Sequence, residues 1–331
     1  MQAVSIGPEF GKENLKFVDI ERPRPEHGEV LVRITHAGVN PIDYGVIHGR
    51  IVYNLSPIPH IPGSEAIGVV ETDGKIFKKG SKVMIFNRVF DGTCDMCRSH
   101  REHLCKNGGI WGVVTNGAYT EYVALPERNL FLIPDSMSEE VAVSFPIGAL
   151  TSYRALMRAH ARPGESILIY GASGNTGIFA SQLSQIMGLE VYGVSRKNWV
   201  KEYGCNEVFE TGRIPEDFKA DIVVNSLGAN FWQDAVSHVK NAGRIVSFGV
   251  QTGKDTTLDI AKLYTSEISI IGSTGGSLHD MTELIRISCN HDLKAPVSSK
   301  VKLNETRKAM EDFETLRDGR ILIEVSGYDF R

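Results

Sequence analysis

Short apolar runs dominate the first 130 residues. Val30-Leu31-Val32-Arg33-Ile34 alternates weakly, Gly68-Val69-Val70 is a buried run, and Lys82-Val83-Met84-Ile85-Phe86 is another. Pro, Gly and Asn interrupt them about every 8 to 15 residues, the punctuation of an all-β, barrel-like unit. No long helical period appears before residue 138. The pattern then changes. Ser166–Tyr170 reads as a buried strand and 171–177 as a glycine-rich turn. Ile178, Phe179, Leu183, Ile186 and Met187 form the apolar face of a helix that Gly188 stops. A second strand follows at Glu190–Ser195, so strand, turn, helix and strand fit in about the 30 residues of a βαβ unit. Further strands are expected at Asp221–Asn225, Arg244–Phe248 and Ile268–Ile271, with helical stretches between them. Strands alternating with helices build a parallel, doubly wound sheet. Beyond Gly272 the pattern predicts a helix near 279–289, an amphipathic stretch near 304–317 and a last strand, Arg320–Ser326, able to return to the first domain. The expected class is α/β: a β-rich domain from 1–130 and 272–331, and a doubly wound parallel-sheet domain from 131–271.

Composition narrows the function classes. A length of 331 residues suits two domains. Thirty-six Lys and Arg against 40 Asp and Glu leave a net charge of −4, which argues against a nucleic-acid or basic membrane binder. The N-terminus lacks the apolar core of a signal peptide, and no run approaches the roughly 18 apolar residues of a membrane span. A cytoplasmic protein with no membrane partner is expected. The 33 glycines show no collagen period, so they point to tight turns. Five cysteines are too few, and odd in number, for a disulfide framework.

The turn Gly171-Ala172-Ser173-Gly174-Asn175-Thr176-Gly177 lies between a strand and a helix, where a dinucleotide fingerprint must lie. Small residues at 172, 174 and 177 permit a tight turn, approach of a pyrophosphate and close helix packing, with the helix N-terminus facing the phosphates. The alternative is a tight turn with no ligand. At the end of the next strand an acidic residue would hold the adenosine ribose of NAD. Ser195-Arg196-Lys197 stands there instead, and two cations with a hydroxyl suit the 2′-phosphate of NADP(H). A solvated Arg-Lys pair is the competing reading.

Cys94, Cys97 and Cys105 form C-x2-C-x7-C, with Asp91 three residues ahead. Four zinc-competent groups at this spacing predict one closed structural site. A C-x-x-C redox centre and a metal-free loop are the alternatives. Cys205 and Cys289 have no partner at ligand spacing.

The strings AGVNPIDYG (37–45), IPGSEAIGVVE (61–71), DGTCDMCRSHREHLC (91–105), NGAYTEYV (116–123), LTSYRAL (150–156) and GASGNTG (171–177) resemble those of the medium-chain dehydrogenase/reductase superfamily, which includes zinc alcohol dehydrogenases and quinone oxidoreductases. The resemblance runs essentially end to end. It implies a GroES-like catalytic domain, a Rossmann cofactor domain and nicotinamide in the cleft. It also implies a structural zinc on Asp91, Cys94, Cys97 and Cys105. Zinc alcohol dehydrogenases take catalytic-metal ligands from a Cys, a His and a later Cys, His or carboxylate. This chain has Asn40, Ser64 and the Pro146-Ile147-Gly148 segment at those positions, and Ile42 where a Ser or Thr would relay the alcohol proton. Asn, Ser and Ile do not hold Zn²⁺, so a catalytic metal is not expected.

The expected activity is NADPH-dependent hydride transfer to a quinone or α,β-unsaturated carbonyl. Alcohol or aldehyde dehydrogenation, or a catalytically silent NADPH-binding protein, are the alternatives. The resemblance places Asn40 and Thr151 beside the nicotinamide, with Asn40 as donor toward substrate or carboxamide. Asp43, among the catalytic candidates, is expected to fix the loop or nicotinamide-proximal contacts rather than act as a base, and Tyr44 and Tyr53 are candidate proton donors, although packing roles compete. His48 and His60 could relay protons but are expected to be solvated, and Glu65 to pair with a cation or backbone. By family position, Phe248-Gly249-Val250 and Gly272-Ser273-Thr274 line the nicotinamide, and Ser226 and Leu227 the adenine side. Ile268–Ile271 resembles the edge strand through which such proteins pair, so a homodimer is expected.

Overall fold

A computed structural model describes residues 1–51, 55–315 and 318–327 and divides the chain into two units. The first comprises Met1–Ile147, Ser277–Met281 and Pro296–Arg331; the second comprises Gly148–Gly276 and Thr282–Ala295. The sequence pattern set these seams at 130 and 272. The architecture is α/β, a GroES-like unit and a Rossmann-like unit.

The first unit is organised by the strand Glu29–Gly38, whose Val and Ile residues suit a pleated, buried surface. It pairs antiparallel with Ala66–Val70, Tyr122–Pro126 and the returning strand Arg320–Glu324. Lys82–Ile85 and Leu130–Leu132 continue the sheet on one side, and Val297–Lys302 lies parallel to Arg320–Glu324 on the other. Val32, Ile34, Val70, Ile85, Tyr119 and Ile323 pack in its core. The register Leu322↔Gly38 brings the start of the C-terminal strand to the end of the central one. There the chain turns into the helix Pro41–Ile47, with Pro41 at its first position, where a missing N–H costs nothing.

Several elements escape the sequence pattern, among them the short strand Glu207–Phe209 of the second unit. Gln2–Ser5 pairs with Lys16–Asp19, and Val297–Lys302 forms an edge strand. Val-Ser-Ser-Lys-Val-Lys carries too few apolar residues to be read as a strand, yet at an edge polar side chains suffice.

The second unit is a six-stranded, all-parallel sheet. Its order is Glu207–Phe209, Glu190–Val194, Ser166–Tyr170, Ala220–Asn225, Val239–Ser247 and Ser269–Gly272. This is the doubly wound dinucleotide-binding order, which reverses between Ser166–Tyr170 and Ala220–Asn225; ligands bind beyond the strand ends at such a reversal. Ile167, Leu168, Ile169 and Tyr170 are wholly buried, as a central parallel strand requires. Val239–Ser247 begins five residues before the expected Arg244, because Val239 pairs with Ala220 across an irregularity. Among the described residues, no helix is long and apolar enough to cross a membrane.

Candidate functional site

In the first unit, the positions that the family resemblance assigns to a catalytic metal hold a buried hydrogen-bonded network. Asn40 and Ser64 are buried with Glu65, Asp43 and Arg320. Arg320 donates from Nη1 to Asn40 Oδ1 and to the Val39 carbonyl, each at 3.1 Å, and from Nε to Ser144 Oγ at 3.1 Å. Its Nη2 pairs with Glu65 Oε2. Glu65 Oε2 also accepts from Asn40 Nδ2 at 2.9 Å, and Oε1 from the Ile147 amide at 2.7 Å. Gly38 lets the guanidinium lie flat: a Cβ there would meet both Arg320 and Glu65.

Asp43 joins the same segments. Its Oδ2 accepts the Asn40 amide at 2.9 Å, and Oδ1 accepts the amide and hydroxyl of Ser64 at 2.9 and 2.8 Å. Burial pushes its carboxyl up to about 7, against the opposing effect of these hydrogen bonds. Asp43 thus links the segments at Asn40 and Ser64. An amide oxygen, a hydroxyl already bonded to Asp43 and a guanidinium cation do not make a zinc-binding set. Among the described residues the group able to hold a metal is elsewhere, at Asp91, Cys94, Cys97 and Cys105.

Asn40, Tyr44 and His60 of this unit hydrogen-bond within the protein. One amide proton of Asn40 points to Glu65, so the side chain is engaged within the protein. Tyr44 donates its hydroxyl to Glu314 Oε1 at 2.9 Å and stacks on His48, with ring centroids 3.9 Å apart. Burial and the bond to Glu314 both push its phenol up, which makes it a poorer acid. His60 is wholly buried with Nε2 2.8 Å from the Gly112 carbonyl, which corrects the expectation that it is solvated. Tyr53 lies outside the described residues.

The cysteine lobe brings its four ligand atoms within 4.8 Å of one another. Cys94 Sγ lies 3.6 Å from Cys97 Sγ and 3.9 Å from Cys105 Sγ. Four ligands around zinc at about 2.3 Å set sulfurs about 3.8 Å apart, so the pocket fits the ion. Asp91 Oδ1 accepts the amides of Cys94 and Thr93, and Oδ2 accepts from Asn107 Nδ2 at 2.6 Å. These donors hold its carboxyl well below the usual range, the state a ligand needs. The Asp91 amide points at Cys105 Sγ, 3.4 Å away. Such outer contacts orient metal ligands.

In the second unit the turn 171–177 leads into the helix Asn175–Ile186, whose N-cap is Gly174, with no side chain closing the helix start. The uncapped amide end suits a phosphate. Gly177 packs so closely that a Cβ would meet the Gly171 carbonyl and the Ala172 backbone. Ala172 is buried, and its amide bonds the Val194 carbonyl. Thr151 lies in the first turn of Leu150–Arg158, half-buried, beside Ser152, which bonds the carbonyls of Gly148 and Thr176.

Ser195 Oγ accepts the Lys197 amide at 3.0 Å and so shapes the turn after Glu190–Val194, while Arg196 is exposed. Ser226 Oγ bonds the Tyr170 carbonyl, and Asn225 Oδ1 accepts the amides of Leu227 and Gly228. Phe248, Gly249 and Val250 follow the strand Val239–Ser247, and Ser273 and Thr274 follow Ser269–Gly272. All of these lie at the carboxyl ends of parallel strands, where ligands bind such sheets.

Residues 26–135 match the family model for the alcohol dehydrogenase GroES-like domain, and 176–289 that for the zinc-binding dehydrogenase. A solved thermostable alcohol dehydrogenase from Pyrobaculum aerophilum is 36% identical, with a TM-score of 0.92 over 98% of this chain and 99% of that one. The NAD-dependent alcohol dehydrogenase of Sulfolobus acidocaldarius is 28% identical over 96% of this chain and 98% of its own length. The acryloyl-coenzyme A reductase of Metallosphaera sedula is 26% identical over 94% and 97%.

Proposed function

The chain belongs to the medium-chain dehydrogenase/reductase family, and from that premise we propose that it is an NADPH-dependent reductase of quinones or α,β-unsaturated carbonyls, working without a catalytic metal and carrying one structural zinc. The observation that carries this reading is the network at the family's metal position. Arg320, Glu65 and Asn40 satisfy one another there, and Asp43 holds Ser64. Nothing in that set polarises an alcohol or stabilises an alcoholate as a metal does. An activated C=C needs less: its enolate requires hydrogen-bond donors and a proton.

Bound nicotinamide supplies the hydride. The chain's own contribution is to bind and orient. The N-terminal turn of Asn175–Ile186, whose N-cap Gly174 offers no side chain, receives the pyrophosphate, and Ser195, Arg196 and Lys197 receive a 2′-phosphate. In the second unit Phe248-Gly249-Val250 and Gly272-Ser273-Thr274 offer backbone groups toward the nicotinamide, with Thr151 as a further contact, and Ser226 and Leu227 cover the adenine side; in the first unit Asn40 is the candidate donor toward substrate. The Sulfolobus relative is named as NAD-dependent; the preference for NADP(H) here rests on the two cations at 196 and 197. The Metallosphaera relative is named for reduction of an acryloyl thioester, whose C=C is conjugated to a carbonyl, and this supports the substrate class.

Alcohol or aldehyde oxidoreduction is the second reading, favoured by the name of the Pyrobaculum enzyme. One assay separates the two. Under the proposal, quinones or enones drive NADPH oxidation, and chelators leave the initial rate unchanged while the lobe keeps its zinc. Chelator-sensitive reduction of NADP⁺ by alcohols overturns it. Tight NADPH binding with no turnover across carbonyls, enones and quinones would leave a binding protein instead. Elemental analysis is expected to give one zinc per chain, and Cys94→Ser to remove it.

A further inference from the structure

The cysteine lobe and the helix Leu278–Ser288 meet at one side chain. Glu102 opens the helical turn Glu102–Leu104, and its carbonyl accepts the amide of Cys105, a metal ligand, at 2.9 Å. Its side chain is buried, and Oε2 accepts the amide of Leu278 at 3.4 Å, 176 residues further on. Leu278 is the first residue of the helix. Residues 277 and 280 also cap the helix start. Ser277 Oγ accepts the Asp280 amide at 3.1 Å, while the Asp280 carboxylate accepts the amide and hydroxyl of Ser277 at 2.8 and 2.9 Å. This reciprocal cap takes the amides of 277 and 280 and leaves that of Leu278 for Glu102. At 3.4 Å the contact is long for a hydrogen bond, so much of its attraction is that of a carboxylate for the positive end of a helix.

The segment beyond the helix is held as specifically. The Lys294 amide donates to Gln182 Oε1 at 2.8 Å, and the Lys294 carbonyl accepts from Gln182 Nε2 at 2.9 Å. Gln182 belongs to Asn175–Ile186, the helix that begins at the phosphate turn. Ser277–Met281 groups with the first unit and Thr282–Ala295 with the second, so this helix is where the chain passes from one to the other.

We infer that Glu102 is a positioning residue that ties the state of the metal lobe to the start of the helix Leu278–Ser288. With the four ligands gathered on zinc, the turn through Cys105 is fixed and presents Glu102 to Leu278. With the metal removed, that turn loosens and the first helical turn frays, since helix ends open at little cost. The inference rests on the lobe holding zinc and is independent of the substrate.

Hydrogen exchange on the full-length protein tests it, with bound zinc measured in parallel. Wild type and Glu102→Ala are each compared with their metal and after chelation. Metal removal from wild type is expected to speed exchange at 277–282 by roughly two- to five-fold, the range a charge at a helix end supplies. Glu102→Ala should produce the same acceleration with zinc still bound, and chelating the variant should add nothing there. Glu102→Gln, which keeps an acceptor oxygen without the charge, should restore part of the protection; it carries the comparison if the Ala variant fails to fold or loses zinc. Three results overturn the inference. Chelation could speed exchange at 91–105 but leave 277–282 unchanged. It could accelerate 277–282 equally in wild type and variant. Or wild type could bind no zinc at all.

Discussion

Arg320→Met is the most direct challenge to the reading of the buried network. The substitution removes four hydrogen bonds in one step: to Ser144 Oγ, the Val39 carbonyl, Asn40 Oδ1 and Glu65. The apolar side chain fills much of the same space. Glu65, wholly buried, keeps the donors Asn40 Nδ2 and the Ile147 amide but loses its counter-charge. Breaking one partner of a buried pair costs about 3–5 kcal/mol, mostly through the charge left behind. Replacing both, as Arg320→Met with Glu65→Met, removes that penalty, so the double variant should be more stable than the Arg320 single by about 2 kcal/mol or more. Because multidomain chains often depart from two-state unfolding, the probe must report on the first unit. Trp111 lies there, buried, whereas Trp199 and Trp232 lie in the second unit and can be changed to Phe in the background. Urea titration followed by Trp111 fluorescence then measures each variant. A single-variant cost under about 1 kcal/mol, or a double variant as costly as the two singles together, would refute the claim that the pair is one coupled, desolvated unit.

Three further outcomes follow from the same geometry. Asp43, pushed by burial up to about 7 from an ordinary 3.8, holds its proton more tightly folded than unfolded. Its contribution to stability is therefore full below about pH 4 and declines as pH rises to about 7, and Asp43→Asn should flatten that decline. Unfolding midpoints at about pH 4.5 and about pH 8 measure it, and an unchanged slope in the variant counts against the assignment. Replacing Arg196 and Lys197 together by Ala should weaken NADPH binding about tenfold or more and leave NADH nearly untouched, since each charged contact to a phosphate is worth about 1.5–3 kcal/mol before solvent screening. Equal losses for both nucleotides in a fluorescence titration would remove these residues from the 2′-phosphate site. The strand Ser269–Gly272 lies at a sheet edge with Ile270 exposed, so Ile270→Lys should turn a dimer into a monomer by light scattering; a monomeric wild type at micromolar concentration ends that proposal.

What could be read in advance depended on how far apart along the chain the partners lie. The lobe Asp91–Cys105 and the turn 171–177 each confine their chemistry to a few consecutive residues, so spacing alone exposes them. The network at Asn40 is different in kind. The motif positions show which residues stand where metal ligands would be, but a substituted motif says nothing of what satisfies the polar groups around it. Arg320 and Glu65 are 255 residues apart, and an arginine opening a terminal strand reads as surface. Likewise Tyr44 shows no sign in sequence of its bond to Glu314, and the polar strand Val297–Lys302 becomes legible only beside Arg320–Glu324. The missing information is a register. Once Leu322 is paired with Gly38 in an antiparallel ladder, continuing each strand by two residues sets position 320 opposite position 40. A cation there meets Glu65, which the neighbouring strand Ala66–Val70 delivers to the same end of the sheet. At the position the family resemblance assigns to a metal, the buried Glu65 is thus matched by a cation the chain itself brings from 255 residues away.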